Sequence, residues 1–196
     1  MSKNQSHTNG FLNSTVQNNI TNNYYENKTS IPSLMPKFIE ILYDKVAKHN
    51  PDNELSMTAI AEYDVEDKIK YNDLKKYRDI AEDYGTYCTC CKDSLNSLDD
   101  AFFNSKQRIL FTINEYYREE KRLLLANFDG KFKNSYDIVK KNSDLIIDNI
   151  KDKLEKKIEK DYNGENICSE DIKICLPIFL CFAFMECKIL EKRPEK

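Results

Sequence analysis

At 196 residues the chain is long enough for one domain, or one domain and a tail. Its 30 Lys+Arg against 33 Asp+Glu give a net charge of −3, which argues against a protein that grips nucleic acid along most of its surface. Only 4 Gly and 5 Pro are present, too few for an all-β sandwich with a turn about every ten residues, whereas 32% charged and 40% hydrophobic residues suit a small helical protein.

Residues 1–30 form one compositional block in which Asn, Gln, Ser and Thr make 18 of 30 residues. So little apolar surface cannot offset the entropy of ordering, and the block reads as a disordered tail. Asn/Gln-rich segments also stack into β-ladders. Val16, Gln17, Ile20, Tyr24 and Tyr25, set among amides, therefore mark a segment for self-assembly.

Residues 31–59 read as a linking helix and turn. Ser33 is placed to cap a helix with Pro36 in its first turn. Phe38, Ile41, Leu42 and Val46 recur at helical spacing, and His49-Asn50-Pro51-Asp52-Asn53 ends it.

Residues 60–194 read as one compact helical domain. Asp64 is expected to cap a short helix with Val65 and Ile69 on one face. Leu74, Tyr77, Ile80, Ala81 and Tyr84 form the stripe of a longer helix, which Gly85 either stops or crosses at about 1 kcal/mol. Tyr87, Cys91, Leu95, Leu98 and Phe102 continue that stripe, and Asn104-Ser105 offers a new cap. Ile109, Leu110, Ile113, Tyr116, Tyr117, Leu123 and Leu124 follow, up to a turn at Phe128-Asp129-Gly130. Ile138, Val139, Ile146, Ile147, Ile150, Leu154 and Ile158 predict one helix over 135–161 with a charged outer face. After the break at Asn163-Gly164, Ser169 is expected to cap the last helix, with Glu170 and Asp171 in its first turn. That helix is apolar nearly all round over 174–185, so neighbours are expected to bury it on several sides, with a kink at Pro177. It is expected to run to Lys188, Lys192 and Arg193, where Pro194 stops it.

The apolar run 174–185 is 12 residues, against roughly 20 for a membrane span. No apolar signal segment opens the sequence, and seven cysteines without an export signal fit a reducing interior, so the expectation is a cytoplasmic protein with no membrane association.

Each enzymatic reading has a plainer competitor. Cys88 and Cys91 give one C-x₂-C pair without a second. Cys168, Cys175, Cys181 and Cys187 step by seven, six and six, and a six-residue step turns a helix by about 240°. Thiols packed between helices explain them better than zinc does. His7 and His49 are not set to activate Cys88 or Cys90. Asp64, Glu66 and Lys68 carry the letters of a small metal-dependent nuclease, but in a helical context, where solvated faces explain them. Phosphate-binding glycine loops are missing, and no cofactor is expected. Charge is uneven, with 6 basic and 13 acidic residues over 51–104 and 14 basic and 11 acidic over 105–161. That pattern suits contact between proteins better than direct nucleic-acid binding.

The stretches DVEDKIKYNDLKKYRDIAEDYGTY, NSKQRIL, NSDLIIDNI, SEDIKICLPIFLCFAF and CKILEKRP resemble a C-terminal domain of bacterial ABC-three-component conflict systems. The likeness covers residues 60–194 and rests on Ile69, Tyr71, Asn72, Tyr77, Tyr84, Gly85, Cys187, Ile189, Leu190 and Glu191. It implies a helical coupling domain that joins its protein to an ABC-type ATPase or middle component against invading DNA. Ile69, Tyr71, Tyr77, Tyr84, Ile189 and Leu190 would then belong to its partner-binding surface or its core. Larger members carry an effector ahead of this domain, for which residues 1–59 are too few and too polar. The expectation is a non-catalytic adaptor of an anti-phage system. The alternatives are a small nuclease-like effector using Asp64, Glu66 and Lys68, or a scaffold that self-associates through residues 15–25.

Overall fold

The computed structural model describes residues 33–49, 58–82, 84–127, 134–162, 164 and 166–192, with the side chains of 58–64 and 84–86 outside that description. The proposed self-assembly segment, with Val16, Gln17, Ile20, Tyr24 and Tyr25, therefore lies outside the described residues, as does the turn at 128–130. Among the described residues there are eight helices and no strand: α1 (Met35–Lys48), α2 (Thr58–Asn72), α3 (Arg78–Glu82), α4 (Tyr84–Ala101), α5 (Ser105–Ala126), α6 (Ser135–Lys141), α7 (Ser143–Asp161) and α8 (Ser169–Met185). The mainly α bundle expected from the periodicity is what forms.

α8 is the centre. It packs against α1, α3, α4 and α7, and every residue over 178–185 is buried. Burying one such Phe or Leu is worth about 1.5–3 kcal/mol relative to leaving it in water, which is why a helix with no polar face is stable only in this position. Phe38 of α1 meets Phe179 edge-on, with ring centroids 4.7 Å apart. Thus α1 shares its core with the helices that follow residue 60.

α1 opens as its sequence indicates. The Ser33 hydroxyl accepts the Met35 N–H at 3.2 Å, and Pro36 occupies the first turn, where a missing N–H costs nothing. α4 carries Gly85 in its first turn, where backbone amides have no intrahelical acceptor and a glycine costs less than in the interior.

Several boundaries differ from the sequence reading, each for a local reason. α2 begins at Thr58, so Asp64 lies within it and not at its cap. The stripe from Leu74 to Tyr84 is not one helix: α2 stops before Asp73, which is left-handed at φ 51°. The Lys75 and Lys76 amides donate instead to the Asp144 carboxylate of α7, at 3.2 and 3.1 Å. Phe102 lies beyond α4 and is 45% exposed. At the start of α5 the capping acceptor is Asp99, which takes the Lys106 N–H at 3.1 Å, while Asn104 is left-handed and makes no side-chain cap. Leu123 faces outward. The single helix predicted over 135–161 is two. Asn134 caps α6, accepting the Asp137 N–H at 2.8 Å. Asn142 turns its side chain back on the Ile138 carbonyl at 2.8 Å, and α7 starts afresh at Ser143. Cys168, not Ser169, is the residue ahead of α8, and Asp171 accepts its N–H at 2.9 Å. α8 ends at Met185, short of Lys188, because Cys187 and Leu190 take left-handed backbone at φ 54° and 60°.

Candidate functional site

The residues that leave helical geometry after α8 are the ones most heavily tied to the rest of the chain. Asn72, at the end of α2, is 1% exposed. A buried amide of this kind is stable only with its donors and acceptors matched. Its Nδ2 donates to the Lys68 carbonyl at 3.1 Å and the Glu191 carbonyl at 3.2 Å, and its Oδ1 accepts the Glu191 N–H at 3.0 Å. One side chain thus engages both backbone groups of a residue 119 positions away. The Asn72 carbonyl accepts the Ser143 hydroxyl at 2.5 Å, joining α7 to the same point.

α5 supplies the other wall. Tyr117 donates to Glu191 Oε1 at 2.5 Å, Lys121 pairs with the same oxygen, and Asn114 Nδ2 donates to the Lys188 carbonyl at 2.6 Å. Lys68 donates to the Met185 carbonyl. Burial pushes the Tyr117 phenol far above its ordinary range, and the bond to Glu191 adds to that. Ile189 and Leu190 are buried between these polar ties, at 1% and 4% exposure. Segment 186–192 is therefore a clasp, pinned by apolar anchors and matched hydrogen bonds across α2 and α5.

Ile69 and Tyr77 are also buried, and Tyr77 donates to Asp148 of α7 at 2.5 Å. Tyr71 is half-buried and stacks on Tyr136 of α6 with centroids 4.6 Å apart, while Tyr136 donates to the Tyr71 carbonyl. The Tyr84 side chain lies outside the described residues. The structure thus brings Asn72, Ile189, Leu190 and Glu191 to one place. Sequence reasoning missed Asn114, Lys121 and Ser143, which as single polar residues on helices look like surface.

The nuclease letters are engaged within the chain. Glu66 takes both oxygens to Arg78 Nη2, at 2.9 and 2.7 Å, and lies 3.1 Å from Lys70. The Arg78 bond first and then the Lys70 bond hold its carboxyl below the usual range. Lys68 is the clasp donor already described, and the Asp64 side chain lies outside the described residues. Among the described residues no group of three or more His, Cys, Asp or Glu is placed to hold a metal ion.

The thiols line the helix packing. Cys88, Cys90, Cys91, Cys175 and Cys181 are buried and Cys168 is exposed. Among the described residues, no helix is long and apolar enough to cross a membrane.

Large apolar side chains also face water. Phe102 and Phe103, in the corner between α4 and α5, are 45% and 88% exposed, and Phe111 on α5 is 64% exposed. Three such rings within ten residues form the kind of surface feature that marks an interaction site. No protein-family model, no curated protein and no solved structure matches the chain.

Proposed function

We propose that this chain is a non-catalytic coupling component of a bacterial anti-phage system of the ABC-three-component type. It docks on a partner protein, the ABC-type ATPase or middle component, in the cytoplasm. The family assignment rests on the resemblance over residues 60–194. The observation that carries a docking role is the corner of Phe102, Phe103 and Phe111. These rings contribute nothing to the core and carry a standing cost in water that a partner's surface would remove. The clasp holds the helices beneath that corner in one arrangement.

The test is co-expression with the ATPase and middle component encoded beside it. The chain is expected to co-purify with one of them, and Phe103→Ala with Phe111→Ala is expected to abolish capture while leaving the helical content and thermal midpoint unchanged. A clean monomer that takes neither partner overturns the reading. Mg²⁺-dependent DNA cleavage by the chain alone, lost in Asp64→Ala with Glu66→Ala, would replace it with the nuclease reading.

A further inference from the structure

The clasp is a peptide-binding site seen with an occupant. Asn72 recognises the N–H and C=O of one residue and not its side chain, which is how a buried amide reads an extended peptide. Ile189 and Leu190 provide two aliphatic anchors, and Tyr117 and Lys121 receive the carboxylate that follows. The ligand is thus defined by chemistry: two aliphatic residues followed by an acid. This chain carries that ligand on its own C-terminal side, joined to α8 through a short hinge.

The hinge is strained. Cys187 is a non-glycine residue at φ 54°, and Leu190 lies at φ 60° within the same short segment. L-residues adopt this backbone reluctantly. In the closed chain, Cys187 must reverse direction so that 188–191 can return to α2 and α5. A segment crossing to another molecule would make every contact named above without that reversal. It also lies near the end of the chain, so it can leave its groove without threading past other elements.

We propose that the groove between α2 and α5 is an exchange site, and that its occupant in trans is segment 186–192 of a second copy of this chain. Identical segments trading places is a low-cost route to a two-fold dimer, favoured by a strained hinge. The proposal stands on the clasp and is independent of the docking face described above.

Lys121 and Glu191 are in direct contact, so a carbodiimide joins them as an amide in the unaltered protein, with loss of water. An equal mixture of nitrogen-15-labelled and unlabelled chain is incubated at high concentration, cross-linked and digested. Exchange is expected to yield 121–191 peptide pairs of mixed isotope, approaching half of all such pairs in a fully exchanged dimer and falling with dilution. Pairs of matched isotope only, at every concentration and incubation time, overturn the proposal. Cys187→Gly lets the hinge adopt positive φ without strain and is expected to lower the mixed share several-fold. An unchanged or higher share removes the hinge argument and the proposal with it. Neither arm needs the ATPase, so a failed co-purification leaves this result intact.

Discussion

Tyr77 and Asp148 are 71 residues apart and share a hydrogen bond of 2.5 Å, with the phenol donating. The bond fastens the turn after α2 to the outer side of α7, and Lys76 reaches the same carboxylate oxygen at 2.6 Å. Burial raises the Asp148 carboxyl, but the bonds from Lys76 and Tyr77 outweigh it and hold it below the usual range. Burial first, and then the bond to Asp148, push the Tyr77 phenol well above its own. Tyr117 is raised in the same way by burial and Glu191.

Raised phenols make the fold sensitive to alkali. In the unfolded chain both tyrosines ionise near pH 10, whereas in the fold they keep their protons to higher pH. Their contribution is fully present below about pH 10 and is lost as pH rises above it, by about 1.4 kcal/mol per pH unit for each tyrosine until the folded phenol itself ionises. Urea midpoints taken at intervals above pH 9 are expected to fall more steeply for the wild type than for Tyr77→Phe or Tyr117→Phe. Parallel curves would show that these phenols ionise alike in both states.

The clasp makes a sharper claim about stability. Asn72→Ala removes three hydrogen bonds and leaves the Glu191 N–H and C=O buried without their partner. Stranding buried backbone groups is expected to cost about 2–4 kcal/mol. Glu191→Gln keeps those backbone bonds and retains an oxygen for Tyr117, so its expected cost is about 1 kcal/mol. Denaturant titration of both variants checks the order. Equal losses would mean that the carboxylate, and not the backbone reading by Asn72, holds the segment.

The α5–α7 seam contains a charge pair of a different kind. Glu120 is 7% exposed, accepts from Asn149 Nδ2 at 2.7 Å and lies 2.6 Å from Lys153, which is also 3.0 Å from Glu119. Lys153→Met strips the cation from a buried carboxylate. Because Lys153 remains about a third exposed, the expected loss is about 1–3 kcal/mol, below that of a fully buried pair. The double replacement Glu120→Met with Lys153→Met is expected to recover most of it. A double-mutant cycle reads the coupling directly, and additive losses would show that the pair does not interact.

How much of this was legible in the sequence follows from where each feature gets its energy. α1, α5 and the buried α8 were readable because apolar residues at helical spacing report a packed face, and the run around Phe179 admits no exposed side. The breaks were not. Asn142 interrupts α6 and α7 so that Ser143 can reach the Asn72 carbonyl, and the 73–77 turn closes on Asp144. Both are tertiary hydrogen bonds, for which the local pattern of Ile138, Val139, Ile146 and Ile147 contains no signal. The clasp lies between these cases. Asn72 and Glu191 were marked by resemblance, but Asn114 and Lys121 become visible only once the helices are placed around segment 186–192.

The cysteines provide a test of the whole packing scheme, because the seven thiols sit at very different depths. Burial pushes the Cys175 thiol up to about 12, and burial with the neighbouring Cys90, Cys181, Cys175 and Cys88 raises Cys91 well above the usual thiol range. At pH 8 a thiol near 12 is thiolate in only about one molecule in ten thousand, and the thiolate is the reactive form. Cys168 is exposed but is raised too, chiefly by its hydrogen bond to Asp171. It is therefore expected to label with an aromatic disulfide reagent more slowly than a small free thiol, yet far faster than Cys91 or Cys175. Those two are expected to react only when α4 and α8 separate, so their rates should rise with urea in step with global unfolding. Labelling of Cys91 as fast as that of Cys168 in native buffer would show that the α4–α8 seam opens locally, and that the core around Phe179 is not the rigid centre of the bundle.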